Sequence, residues 1–491
     1  MSEAFKKNEA AISRALGRND LAPRLQNSRI GIWTDAAGVS GVLLAEALGD
    51  VLGRFWHNLD VAGPLANVFL QAAHESAASG GQPKLARQGW NPPYDAILSI
   101  GVDTPPTAGP GLRVGATGWK ALVGPRAIVD DDPNPVGPTA AAAIAAGEIF
   151  KRLFADALGE RSKPLPADLE WSAWDYGRND PAPGVQSINL DDLHIIGVGA
   201  VTHALLWVLQ RWPSQVAGRV LLIDSDRYAE SNGQRYPGMR AEDIGLPKGE
   251  RAALRLQAHP HLDAVPRVTD MNQYFSKERP DYKVRLAVIG VDSPEHRRQL
   301  ALKLPERVVN MWTEGEWLGS ARFGFSGGWP CLCCVYPENT TALLDETGQL
   351  FQETGLLPAR VRHLLLFAEE GLTEEDVNII RQKVALGDPQ QLVGKPLRSV
   401  RGILCATARI PLPEARAEVD VPLPFCSLFA GVAGFSELLH EVWRVPSTPG
   451  KWTLRAFAYP VAGNWEGDGQ RSACYLCSDP LTRQIVAAKY G

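Results

Sequence analysis

Short apolar runs alternate with Ala-rich stretches of helical spacing over roughly the first 160 residues, the pattern that builds β-α-β units and a parallel sheet. Arg29-Ile30-Gly31-Ile32-Trp33 reads as a strand, and Gly38 and Gly41 then open a helix over Val42–Leu52. Ala96-Ile97-Leu98-Ser99-Ile100 reads as a later strand that ends at Gly101 and Asp103. An acidic turn over Asp130–Pro138 leads into an Ala run from Thr139 that predicts a helix to about Leu158. Pro164–Gln186, rich in Pro, Trp and Asp, shows neither period and reads as a connector.

The same plan then starts again. Leu193-His194-Ile195-Ile196 reads as a strand, followed by a glycine turn, a helix over Ala204–Gln210 and a strand Val220–Ile223 ending in acids. A further strand, Leu286–Ile289, runs into Gly290-Val291-Asp292, matching Gly101-Val102-Asp103 in the first copy. An internal duplication is therefore expected. From Pro337 to about Lys395 the spacing turns helical with polar turns, as in an inserted subdomain, and Pro422–Trp443 reads as strand and helix returning to the sheet.

Composition narrows the class without naming it. At 491 residues the chain is too long for one core, and its 45% hydrophobic and 21% charged content is that of an ordinary globular protein. A net charge of -5 argues against a general nucleic-acid or anionic-membrane surface. No uninterrupted apolar run reaches the ~18 residues that span a bilayer, and the polar N-terminus lacks a secretory h-region. Seven cysteines, mostly at metal-like spacing, fit a reducing compartment, and a cytoplasmic location is expected. Four of them form two Cys-x-x-Cys pairs, Cys331/Cys334 and Cys474/Cys477, roughly 140 residues apart. That spacing suits a closed tetrahedral Zn²⁺ site that clips the tail to the body of the protein.

Gly197-Val198-Gly199-Ala200 follows a strand and opens a helix, where backbone amides and the helix dipole favour a phosphate. Asp224 ends the next strand, in place to accept from ribose hydroxyls. Beyond it come Asp226, Asn232, Arg235 and Lys248. Hydride chemistry has no use for an Arg and a Lys converging on a phosphate chain, whereas nucleotidyl transfer needs fixed cations where charge develops. Asp292 is placed to hold a Mg²⁺ bridging those phosphates.

This set of residues resembles the ubiquitin-activating (E1) superfamily, including the molybdopterin- and thiamine-pathway sulfur-carrier activators. The family order is a Gly-x-Gly-x-x-Gly turn, Asp-x-Asp, Asn-x-x-Arg, Lys, a Mg²⁺-binding Asp and two Cys-x-x-Cys pairs. Here it matches Gly197 and Gly199, Asp224 and Asp226, Asn232 and Arg235, Lys248, Asp292 and the four cysteines, over roughly residues 190–480. The departures are Thr202 at the third glycine and Gly233-Gln234 inside the Asn–Arg element. The resemblance implies two Rossmann-like adenylation folds of the α/β class, the first degenerate, joined as an intramolecular pseudo-dimer. It also implies a helical catalytic-cysteine insert and a zinc site made of the four paired cysteines. The expected division is an inactive adenylation domain over 1–165, a linker over 166–188, an active domain over 189–336 and 421–491, and the insert with its crossover loop over 337–420.

The implied reaction adenylates the Gly-ending C-terminus of a ubiquitin-like protein with ATP and Mg²⁺, forms a thioester, and transfers it to an E2-like protein. Cys405, with Arg398, Arg401 and Arg409 near in sequence, is the favoured nucleophile because cations stabilise a thiolate. Cys426, in an apolar stretch, is the alternative. An arginine near the N-terminus crosses to the partner's phosphates in related dimers, which makes Arg14 the candidate here. The layout most resembles the E1 component of bacterial, Bil-type, ubiquitin-like antiphage operons, acting as a monomeric pseudo-dimer with no nucleic-acid or membrane partner. A sulfur-carrier activator, a dinucleotide-dependent oxidoreductase and an inactive scaffold are the competing readings.

Overall fold

The computed structural model describes residues 3–16, 20–21, 23–34, 38–79, 86–101, 111–163, 165, 167–178, 181–314, 317–325, 329–336, 347–348, 350–351, 353–367, 370–383, 389–397, 422–445, 451–457, 464–466 and 474–491. They form two compact units, Met1–Tyr336 with Val421–Gly491, and Pro337–Asp420.

The larger unit holds two sheets. The first comprises β1 (Arg29–Thr34), β2 (Asn58–Ala62), β3 (Ala86–Gln88), β4 (Ala96–Ile100), β5 (Gly111–Thr117), β6 (Lys120–Val123) and β7 (Leu169–Ser172), in the order β3-β2-β1-β4-β5-β6-β7. The second comprises β8 (Ile188–Ile196), β9 (Val216–Ile223), β10 (His261–Arg267), β11 (Leu286–Ile289), β12 (Arg307–Glu314), β13 (Trp317–Gly324), β14 (Lys451–Arg455) and β15 (Asn464–Glu466). Its order, β10-β9-β8-β11-β12-β13-β14-β15, repeats the first position for position and adds one edge strand. Both sheets run parallel up to their fifth strand and antiparallel beyond it.

The period of two decides which face each strand buries. In the second sheet Leu193, Ile195, Val220, Leu222 and Val288 share a core with the helices Ala200–Gln210 and Pro424–Val442. Ile196, Leu221, Ile223, Ala287 and Ile289 instead join Met271, Phe275 and Leu300 of the helices Met271–Lys277 and Pro294–Leu302. In the first sheet Ile30, Ile32, Leu59, Val61 and Leu98 pack with the helices Val39–Gly53, Ala66–Ser79 and Val136–Leu153. Its other face is crossed by Trp90 and Tyr94 of the short β3–β4 connection, with Trp33 and Trp90 ring centroids 5.5 Å apart. Gly31 is required there, because the Tyr94 and Trp90 rings lie where a Cβ would project.

The two halves share one hydrophobic core. The Val136–Leu153 helix, after β6, packs against the Pro424–Val442 helix, which occupies the equivalent place after β13. Phe150 and Phe425 meet there at 5.8 Å, and Gly147 lies against the Phe425 ring. By length and composition the Pro424–Val442 helix is apolar enough to cross a membrane, yet 89% of its apolar window is buried in this core.

Three differences from the sequence reading are structural. The connector contains β7, which pairs with β6, and the sequence hides it because only four residues are extended. Pro422–Trp443 holds one helix and no strand: Pro424 starts it without loss of a hydrogen bond and no glycine-turn breaks it. The helices after both glycine turns begin earlier than expected, at Val39 and Ala200. The remaining connector is tied by two indole N–H groups, Trp119 to the Pro183 carbonyl (2.7 Å) and Trp212 to Gln186 (2.8 Å), and Trp443 binds the Ser187 carbonyl just beyond it (3.1 Å).

The smaller unit has its own core, in which Leu350, Leu356, Val361, Leu364, Leu372 and Ile380 meet. Its helices Pro358–Leu366 and Glu374–Lys383 are joined by a two-bond contact of Arg360 with Asp376 at 3.0 and 2.7 Å.

Candidate nucleotide site and metal centre

Parallel sheets bind ligands where the chain order reverses, outside the C-terminal strand ends. In the second sheet β8 is flanked by β9 and β11, so that point lies at the ends of these three strands. The turn after β8 carries Gly197 (φ +83°) and Gly199. A side chain on Gly197 would collide with Val291, and one on Gly199 would crowd the Gly290 carbonyl at 3.2 Å. Glycine is therefore required for the close approach of the β8 turn to Gly290 and Val291, the residues just before Asp292.

Asp224 braces this turn. Its Oδ2 accepts from the Val198 amide at 2.6 Å and its Oδ1 from the Asp226 amide at 2.7 Å. Burial raises its pKa, against the opposing pull of Lys248. Lys248 opens the helix Lys248–Leu256, is 6% exposed, and donates to Asp226 Oδ2 at 2.8 Å. Burial disfavours its ammonium, but Tyr236, Asp224 and Asp226 outweigh burial and hold its pKa above the ordinary lysine range.

Asn232 and Arg235 sit on and after the turn Glu230–Gln234. Asn232 Oδ1 accepts from the Ala229 amide at 2.9 Å, closing that turn. The Tyr236 ring lies 5.7 Å from the Arg235 guanidinium and 5.6 Å from Lys248 Nζ. The sequence reading missed Tyr236, whose ring lies beside both cations. Beneath it His203 is buried, with Nε2 2.7 Å from the Tyr228 hydroxyl and Nδ1 3.3 Å from the Pro237 carbonyl. The carbonyl can only accept, so Nδ1 carries the proton and Tyr228 donates to Nε2.

The first sheet treats the matching helix end differently. There the Ser40 amide donates to the Asp130 carbonyl at 3.0 Å and the Val39 amide approaches Asp131 Oδ1 at 3.4 Å. A side chain on Gly38 would strike the Asp130 carbonyl. The chain's own acidic turn thus fills the place a phosphate would take. At Ala200–Gln210 the N-cap is Gly199, which has no side chain to cap the helix N-terminus.

The structure gathers Gly197, Gly199, Asp224, Asp226, Lys248, Asn232 and Arg235 at one end of one sheet, with Asp292 exposed three residues after β11. Arg14 belongs to the helix Glu3–Leu16, which packs against the Glu230–Gln234 turn. Cys405 lies outside the described residues. Cys426 is 2% exposed in the first turn of Pro424–Val442.

Cys331, Cys334, Cys474 and Cys477 are all buried, with their sulfurs within 4.8 Å of one another. The separations are 4.0 Å for Cys331–Cys334, 3.7 Å for Cys331–Cys474 and 3.4 Å for Cys334–Cys477. A tetrahedron with metal–sulfur bonds of ~2.3 Å has edges of ~3.8 Å, so the cluster has the dimensions to hold a metal ion.

Residues 57–165 match the family model described as the BilD N-terminal domain. The chain is 26% identical over 447 residues to the uncharacterized protein y4jF of Sinorhizobium fredii (strain NBRC 101917 / NGR234), covering 87% of this chain and 83% of that one. It is 32% identical over 129 residues to the bacterial E1-like protein BilD of Collimonas sp. (strain OK412), covering 24% of this chain and 27% of that protein. Among solved structures, the crystal structure of E. coli MccB aligns with 75% of this chain and 95% of its own at 11% identity and a TM-score of 0.36. The likeness to E1-like proteins is thus supported over part of the chain, and the family match falls on the half that carries the first sheet.

Proposed function

We propose that the chain is an E1-like adenylating enzyme whose working site lies on the second sheet. The observation that carries this reading is the convergence of the Gly197–Gly199 turn, Asp224 and the Arg235–Tyr236–Lys248 cation cluster at the switch point, while the first sheet's equivalent helix end is filled by Asp130 and Asp131.

In the proposed reaction the C-terminal carboxylate of a ubiquitin-like protein attacks the α-phosphorus of ATP. The phosphorus–oxygen bond to pyrophosphate breaks, leaving an acyl-adenylate. The amides after the N-cap Gly199 face phosphate oxygens, and Arg235 and Lys248 neutralise the charge that grows on them. Asp292 is the protein ligand proposed for Mg²⁺, which when bound supplies further neutralisation between phosphates. A cysteine thiolate, for which Cys405 is proposed, then attacks the acyl carbon, AMP leaves, and the thioester passes to an E2-like cysteine. Zn²⁺ is proposed for the four-cysteine cluster, as a closed site with no open position. The wider setting, cytoplasmic ubiquitin-like conjugation in bacterial antiphage defence by a monomeric pseudo-dimer, follows from the Bil-type resemblance.

The test is ATP–pyrophosphate exchange with a ubiquitin-like protein encoded beside this gene, together with MgATP binding by calorimetry. Asp292→Ala should abolish exchange, and Lys248→Ala should cost ~3 kcal/mol, or about 10²-fold in rate. Near-normal exchange in both variants would remove the second sheet as the site.

A further inference from the structure

A buried ion pair on the first half grips the loop that carries the second half's cations. Asp50 and Arg54 lie at the end of the Val39–Gly53 helix, and Arg54 is 2% exposed. Arg54 Nε and Nη2 donate to Asp50 Oδ2 and Oδ1 at 2.9 and 2.7 Å. Its Nη1 donates to Ser79 Oγ at 3.1 Å and to the Gly233 carbonyl at 2.7 Å, and its Nη2 also to the Met239 carbonyl at 3.4 Å. Asp50 Oδ1 in turn accepts from the Gly238 amide at 3.1 Å. All five guanidinium N–H bonds are thereby engaged, which a lysine with three donors cannot reproduce.

The consequence is geometric. Three main-chain groups of the loop from Asn232 to Met239, at Gly233, Gly238 and Met239, are fixed by one pair from the other half. Between those anchors stand Arg235 and Tyr236, whose ring lies beside Lys248. A buried charge pair with every donor engaged has one arrangement, and so the loop has one as well.

We propose that Asp50 and Arg54 are positioning residues through which the first half sets the Arg235–Tyr236 geometry for the phosphates of the nucleotide. The inference rests on the adenylation reading above. The glycine turn and the cation cluster proposed for the nucleotide stand on the second half, and the first half fixes the loop that carries Arg235 and Tyr236.

Calorimetric titration with MgATP of the full chain and of Arg54→Lys, Arg235→Ala and the double variant tests this, with thermal melting of each. If each single change weakens binding about tenfold, the double change should also weaken it about tenfold and not about a hundredfold, because Arg54 acts through the loop that holds Arg235. Independent, multiplying losses, or an Arg54→Lys chain that binds like the wild type, would overturn the proposal. Should Arg54→Lys fail to fold, Asp50→Asn, which removes charge but keeps shape, takes its place in the same cycle with the same expected result. A wild-type chain that does not bind MgATP would sink the adenylation reading itself, an outcome separate from failure of the cycle.

Discussion

His203 shows how much a single side chain can report about the site. Its burial, reinforced by the nearby Arg255, Lys248 and Arg54 charges, pushes its pKa well below the ordinary 6.5. The folded chain therefore keeps a neutral ring where the unfolded chain takes up a proton. Below about pH 6.5 the unfolded state binds more protons, so stability should fall with acid by up to about 1.4 kcal/mol per pH unit for this group. Burial lowers His57 and His194 in the same sense. Urea denaturation between pH 7.5 and 5 should show a shallower slope for His203→Gln than for the wild type; parallel slopes would mean that the ring titrates normally in the fold. The residues of the proposed site could be named from the sequence because their types and order carry the chemistry. Tyr236, Asp50 and Arg54 were not, because an aromatic shared by two cations and a pair that bonds to distant carbonyls leave no spacing signal.

At the scale of elements, short strands dominated by apolar residues, such as β4 and β11, were readable to the residue, since their five and four positions are buried or half-buried in succession. β7 was not, because its pairing with β6 decides its conformation more than its four residues do. The short helix Leu332–Val335 and the turn after Cys474 present four thiols to one point. Thiol–thiol hydrogen bonding with Cys333 and Cys334, then burial, raises the Cys331 pKa. The purified chain should contain one metal per molecule by plasma emission analysis, and Cys474→Ser should lose it along with several degrees of melting temperature. A metal-free chain of unchanged stability would show four packed thiols and no clip.

For the whole molecule, repetition of strand order is the feature that sequence periodicity conveyed best, because both copies reuse one alternation of strand and helix. Their divergence was less visible: where the second sheet has the Met271–Lys277 helix between β10 and β11, the first has seven residues between β3 and β4 that carry Trp90 and Tyr94. The separate compactness of Pro337–Asp420 leads to a division of labour. Replacing that segment by a flexible linker should leave MgATP binding intact. With the ubiquitin-like partner, the shortened chain and Cys405→Ala should both lack a DTT-sensitive adduct on a non-reducing gel that Cys426→Ala retains. An adduct lost only in Cys426→Ala would transfer the nucleophile to the core helix.

The Pro424–Val442 helix, packed at the centre yet encoded near the end, also sets a timetable for birth on the ribosome. While residues beyond Tyr336 are still being translated, the Val136–Leu153 helix lacks its partner, β13 lacks β14, and Cys331 and Cys334 wait for thiols 143 positions downstream. At about 5–20 residues per second that wait lasts roughly 7 to 30 s, with apolar surface open to chaperones and proteases. A chain stopped within the insert would thus keep that apolar surface open, and the core closes only once the Pro424–Val442 helix has emerged.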